Sequence, residues 1–263
     1  MNELFSVEGR VAMVTGAGSG MGARFAETLS AYGASVILCG RRSERIEAKA
    51  ALIRNRGGKA LALPIDITDR KAIPALFDLA EQALGIVDIL VNAAGISGDA
   101  GQPFYQQTSE DWDRVIVTNL TAVYEMSKEA TKRLISANKP GNIINITSQG
   151  AHRGGRGLAA YTAAKAGCAN LTRSMALDLI EFDIRVNAIA PGIVRSEMFP
   201  ASMENSEFGK AYVAKSTPLG RAVDPCELDG ALMLLASRNA SSFITGTQID
   251  ADGGINAAQP GAW

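Results

Sequence analysis

The sequence predicts a doubly wound α/β fold, a parallel sheet of about seven strands with helices on both faces. Two observations predict it. Short runs rich in β-branched and aliphatic residues recur along the 263 residues, and longer segments with helical spacing lie between them. Parallel neighbours need crossover connections, which the intervening helices supply with a right-handed sense. With 47% hydrophobic residues, a chain of this length can bury one large core, so a single domain over residues 1–263 is expected.

Val11–Thr15 is wholly apolar apart from its last residue and reads as the first strand. Behind a glycine-rich turn follows a helix over Gly22–Tyr32. Ser35–Cys39 and Ala60–Ile65 are the second and third strands, each leading into a segment of good helix formers, Ser43–Arg56 and Arg70–Leu84. Val87–Asn92 and Asn142–Thr147 are the next strands, separated by one long helix over Ser109–Ala137. Ala160–Ile180 is helical, Ile184–Ala190 extended, Asp224–Ala236 helical and Thr247–Asp250 the last strand. Each strand run is too short for a helix and too apolar for a solvated strand, so all are expected to be buried on both faces. The least regular long stretch, 193–217, carries Met198, Phe199, Met203 and Phe208. It reads either as a surface excursion or as a lid over a substrate, and the lid is preferred.

Composition excludes several classes. Lys and Arg number 26 against 27 Asp and Glu, with no dense basic run, which argues against nucleic acid. No apolar stretch reaches membrane-spanning length and the N-terminus lacks a signal-peptide core, so a soluble cytoplasmic protein is expected. Cys39, Cys168 and Cys226 are odd in number and far apart, which suits reduced thiols rather than a disulfide framework or a metal site.

Thr15-Gly16-Ala17-Gly18-Ser19-Gly20-Met21-Gly22 follows the first strand and opens a helix. Glycines there allow a tight turn and bring backbone N–H groups and the positive end of the helix dipole to a pyrophosphate. The spacing is T-G-x-x-x-G-x-G, with Met21 where the commoner dinucleotide fingerprint has its third glycine. Where the second strand ends, an acidic residue would select NAD and an arginine NADP. Cys39-Gly40-Arg41-Arg42 offers no carboxylate there, so NADP is favoured with Arg41 as the phosphate partner and NAD as the alternative; ordinary solvated arginines are the other reading. Asp66, with Ile67 after it, and Asn92-Ala93-Ala94-Gly95 end the third and fourth strands, at the ligand crevice of such a sheet. Two readings of Asp66 stay open, a contact with the adenine amino group or a cap on the turn before Thr68.

Ser148 lies just past the fifth strand, and Tyr161 and Lys165 open the following helix at i and i+4, on one face. A phenol is a poor base near neutral pH. An ammonium one helical turn away favours its phenolate and makes it a usable proton donor and acceptor. Ser148 would hold the substrate oxygen, and Lys165 would also bind the nicotinamide ribose. His152, the only histidine, is read as a pocket wall or loop residue that, with Gln149 and Arg153, sets substrate polarity, because Tyr161 already fills the acid/base role.

Taken together, the Thr15–Gly22 turn, Asn92–Gly95, Asn119, Ser148, Tyr161 with Lys165, Pro191-Gly192 and Asp252-Gly253-Gly254 resemble the short-chain dehydrogenase/reductase family over almost the whole chain. The resemblance implies a Rossmann-type fold and hydride transfer between a nicotinamide cofactor and a ketone or secondary alcohol, such as a 3-oxoacyl thioester, keto sugar or polyol. It implies that Asn119 completes a catalytic tetrad by holding a water in a proton relay from Lys165. It also implies cofactor contacts from Ser19, Gly20, Gly22, Pro191, Gly192, backbone near Val194 and the hydroxyl of Ser196, which replaces the usual Thr. Ala93 departs from the N-N-A-G form, and Ser19 stands where many NADP-using members are basic. The family commonly forms tetramers, and the segment ending in Trp263 reads as a subunit contact or a frayed tail. The rival class is a catalytically silent dinucleotide-binding regulator or scaffold.

Overall fold

The computed structural model describes residues 3–199 and 201–258; Trp263 lies outside them. Seven strands run parallel in one sheet: β1 (Val11–Thr15), β2 (Ser35–Gly40), β3 (Ala60–Pro64), β4 (Ile89–Asn92), β5 (Gly141–Ile146), β6 (Ile184–Pro191) and β7 (Gln248–Ala251). Their spatial order is β3-β2-β1-β4-β5-β6-β7. The order reverses between β1 and β4, and the ends of those two strands open the ligand crevice of this topology.

Alternate residues of the central strands feed two cores. Ala12, Val14, Val36 and Leu38 pack against Phe25 and Leu29 of α1 (Gly20–Ala31), Ile46 and Ile53 of α2 (Ser43–Asn55), and the helix Asp229–Ala236. Val11, Met13, Ile37 and Cys39 face the other side, against Phe77 of α3 (Ala72–Leu84) and Met126 and Leu134 of the helix Ala122–Ser136. Burial pushes the Cys39 thiol up to about 12 and raises that of Cys168, so both are inert apolar fillers.

Three expectations are corrected. The strands are not all doubly buried: β3 and β7 are the sheet edges and stay only partly covered, since each has a neighbour on one side alone. The long helix over Ser109–Ala137 is broken into α4 (Ser109–Ile116), a π-helical turn (Val117–Thr121) and α5 (Ala122–Ser136). The irregular stretch at 193–217 contains two helices, α7 (Ala201–Glu204) and α8 (Glu207–Ser216). α6 runs from Ala159 to Asp178, and α9 is Asp229–Ala236.

Arg185 on β6 is buried, forms no ion pair among the described residues, and donates to Ser241 Oγ (2.9 Å), Leu235 O (3.0 Å) and Ile244 O (3.3 Å). Burial lowers its pKa to about 10, which leaves it charged at neutral pH. Arg185→Ala removes these three buried bonds and opens a void, so a loss of about 2–4 kcal/mol in urea unfolding is expected.

Candidate active site

The glycine-rich turn is a steric necessity. Gly16 has φ +70°, and a Cβ there would stand 2.8 Å from Ala94 Cα; a Cβ on Gly22 would stand 2.4 Å from Gly16 O. Gly20 has φ +53°, and a Cβ there would stand 3.5 Å from Ser196 Cβ. Thr15 Oγ1 accepts from the N–H groups of Ala93 and Ala94, both at 3.1 Å, and so ties the turn to the end of β4. Ser19 is the N-cap of α1 but its hydroxyl makes no cap bond, accepting instead from Arg42 at 3.3 Å. The first-turn N–H groups of α1 therefore stay available for a phosphate, and the cradle fits a dinucleotide.

The arginines divide. Arg41 acts electrostatically on Asp66, while Arg42 turns to Ser19. Arg45, which sequence reasoning passed over, joins Arg42 on the carboxylate of Glu197. Asp66 Oδ1 accepts from the Thr68 N–H (3.0 Å) and hydroxyl (2.7 Å). These bonds, the N–H foremost, hold the Asp66 carboxyl below its ordinary range, with Arg41 adding to the effect. Asp66 thus caps its own turn at an exposed position, and Ile67 beside it is buried.

Asn92 does not point its side chain into the crevice. Its amide donates to Ser127 Oγ (3.1 Å) and Asn145 Oδ1 (2.9 Å), and Asn145 donates on to Thr172 Oγ1 (2.9 Å). This buried chain stitches β4 and β5 to α5 and α6. What Asn92, Ala93 and Gly95 offer a ligand is backbone. At the end of β6, a Cβ on Gly192 would stand 2.8 Å from Asp252 O, and Asp252 accepts from the N–H groups of Gly254 and Asn256. Pro191 pairs with Ala251, which sets that loop beside the crevice. Val194 is buried and bridges Val223, and the Ser196 hydroxyl donates to Val194 O at 3.2 Å.

The four residues expected to do the chemistry converge. Lys165 is buried, donates to Ile146 O at 2.7 Å and lies 5.8 Å from the centroid of the Tyr161 ring. A Cβ on Gly150 would meet Ser148 Oγ at 3.6 Å and Tyr161 Cε1 at 3.8 Å, so hydroxyl and ring flank one point. Ser148 Oγ accepts from Gly150 N–H at 3.1 Å, which aims the oxygen and leaves its own O–H free to donate. Asn119 is fully buried in the π turn, accepting from Ile96 N (2.9 Å) and donating to Ile96 O (2.8 Å). Its Oδ1 and Lys165 Nζ flank Gly95, at 3.2 and 3.6 Å from a Cβ placed there. No sequence period marks Asn119, but a π turn inside a helix often marks a functional site.

His152 reaches the edge strand: its Nε2 lies 3.0 Å from Asp250 and 2.5 Å from Gln248, whose oxygen accepts from Thr147. The 193–217 stretch is pinned at its base by Arg195, which donates to Glu204 (2.6 and 2.8 Å) and Asp224 (2.7 Å). Next to it, Arg221 and then the Asp224 N–H hold the Glu227 carboxyl down to about 2. A depressed carboxylate stabilises the fold above its ordinary value and loses that contribution as pH falls through its folded value. Between pH 4.5 and about 2 the Glu227 contribution disappears, and Glu227→Gln is expected to flatten that part of the acid-unfolding curve followed by circular dichroism.

The family model described as Enoyl-(Acyl carrier protein) reductase matches residues 16–256. 5-Keto-D-gluconate 5-reductase of Escherichia coli (strain K12) is 36% identical over 98% of this chain and 100% of its own. Gluconate 5-dehydrogenase of Gluconobacter oxydans (strain 621H) is 36% identical over 97% of this chain and 98% of its own. The crystal structure of a gluconate 5-dehydrogenase from Burkholderia cenocepacia J2315, in complex with NADP and tartrate, superposes with a TM-score of 0.91 at 31% identity, covering 98% of this chain and 99% of that one.

Proposed function

The chain belongs to the short-chain dehydrogenase/reductase family, and from that premise we propose that it is an NADP-dependent oxidoreductase interconverting a ketone and a secondary alcohol on a small keto sugar acid. The observation that carries this reading is the convergence of Ser148, Tyr161 and Lys165 beside a glycine cradle that fits a dinucleotide. The substrate class rests on the gluconate relatives and on the NADP and tartrate bound by the Burkholderia enzyme. The silent-regulator alternative has no support, since those relatives are named as working enzymes and this chain keeps all four reactive side chains.

Gly16, Gly20, Gly22 and the N–H groups at Ser19 and Met21 would hold the pyrophosphate, with Arg41 and Arg42 at the adenosine end. Asp66, Ile67 and the backbone of Asn92–Gly95 would border the adenine and its ribose, and Pro191, Gly192, Val194 and Ser196 the nicotinamide. When bound, the nicotinamide supplies or accepts the hydride.

In reduction, Tyr161 gives its phenolic proton to the carbonyl oxygen, which Ser148 holds with its free O–H. The Lys165 ammonium, fixed by Ile146 O, stabilises the phenolate left behind and keeps two N–H groups for the ribose and a water. Asn119 retains one lone pair and one N–H beyond its bonds to Ile96, enough to hold that water and return a proton to Tyr161 by way of Lys165. Oxidation runs the same steps backward. The 193–217 stretch closes the site as a lid hinged beside Arg195.

A tetramer is the assembly this reading carries. Trp112, Tyr124 and Leu177, exposed on α4, α5 and α6, supply apolar surface for it to cover, and light scattering is expected to give four times the chain mass. The test of function follows reduced-cofactor absorbance with NADPH and NADH against 5-keto-D-gluconate, 3-ketoacyl thioesters and simple ketones. Turnover with NADPH and the keto sugar acid is expected. Turnover on thioesters alone overturns the substrate class, and none on any substrate in either direction overturns the reading.

A further inference from the structure

The glycine turn, the start of α2 and the chain leaving β6 meet at one carboxylate. Glu197 accepts from Arg42 at 3.0 Å and from Arg45, and the same Arg42 nitrogen donates to Ser19 Oγ at 3.3 Å. Three segments far apart in sequence thus build an anion site of two guanidinium groups and a hydroxyl at the N-terminus of α2. Its present occupant comes from within the chain. Arg42, Arg45 and Glu197 are each about half exposed, so an anion from solvent reaches the site. Arg41 is not part of this cluster; its charge adds to the lowering of the Asp66 carboxyl.

We propose that Glu197 is a built-in competitor of the cofactor's adenosine 2′-phosphate, seated on Arg42 and Arg45 in the free protein and displaced when the phosphate binds there. The inference rests on the proposed use of NADP. A phosphate monoester carries a charge of about −1.5 to −2 and three acceptor oxygens, whereas a carboxylate carries a single charge and two. Two half-exposed ion pairs are weak enough to be exchanged for it. NADH has no group to take the site and leaves Glu197 in place. Glu197 lies near the start of the 193–217 stretch, next to Ser196, whose Cβ would stand 3.5 Å from a Cβ placed on Gly20. Releasing it therefore links recognition of the phosphate to the freedom of the lid, and the linkage is reciprocal.

The test is Glu197→Gln in the full-length protein, with dissociation constants for NADPH and NADH measured by fluorescence titration. Removing the competitor is expected to tighten NADPH by about three- to tenfold and to leave NADH within about twofold of wild type, raising the NADPH/NADH preference. Arg45→Gln is expected to weaken NADPH selectively, because the same guanidinium then no longer serves the phosphate. Equal changes for both cofactors overturn the inference, as does weaker NADPH binding in Glu197→Gln, which would make Glu197 a clamp over the bound dinucleotide. If neither cofactor binds the wild-type chain, the NADP reading falls and this inference with it; normal binding with an unchanged ratio overturns this inference alone.

Discussion

Tyr161→Phe is expected to lower kcat by a factor of about 10²–10⁴ while NADPH affinity stays within about twofold of wild type. The substitution removes one oxygen and keeps the ring, which packs in a small cluster with Val115, Ala160 and Ala164. The fold and the position of Lys165 5.8 Å from the ring centroid have no reason to change, because Lys165 is anchored by Ile146 O rather than by the phenol. What disappears is the proton that must reach the carbonyl oxygen. Ser148 remains to polarise that oxygen, which is why residual turnover is expected rather than none. Stopped-flow absorbance with NADPH, alongside fluorescence titration of the cofactor, separates the two effects. Full activity in this variant would remove Tyr161 from the chemistry.

Asn119→Ala is expected to damage stability and turnover together. The carboxamide satisfies both the N–H and the carbonyl of Ile96 inside a fully buried site. Deleting it orphans both, at a cost of about 2–4 kcal/mol, read as a lower midpoint in urea. It also loosens Gly95-Ile96 against the π turn, and Gly95 lies between Asn119 and Lys165. A fall in kcat of about 10-fold or more is expected at temperatures where the variant remains folded, with KM for the keto acid changed little, since proton return rather than substrate contact is lost. A stable variant with unchanged kcat would contradict both roles.

The alternation of short apolar runs with helical segments was enough to place every strand, and the helices α1, α2, α3 and α6, to within a few residues, because burial on a parallel sheet demands that pattern of any sequence that adopts it. Ser148, Tyr161 and Lys165 were legible because strand end and helical spacing are local properties. The π turn at Asn119 was not legible: no Gly or Pro interrupts Val117–Thr121, and the widened turn is tied by the bond of its asparagine to Ile96, 23 residues earlier. The side chain of Asn92 is held in a buried polar chain, a role decided by what β5 and α5 bring to it, and that leaves its backbone to face a ligand.

By itself, then, the sequence determined the sheet, the glycine cradle and the placing of Tyr161 and Lys165 on one helical face, all of which follow from backbone conformations and spacings within one or two adjacent elements. Only the tertiary structure decided which arginine meets Ser19, that Arg195 joins Glu204 and Asp224, and that Glu197 sits on Arg42 and Arg45. Those are contacts between charged or polar side chains, and the two on Glu197 join residues more than 150 positions apart. Their partners are selected by how helices and loops pack around the sheet, and no local pattern of hydrophobicity encodes that choice.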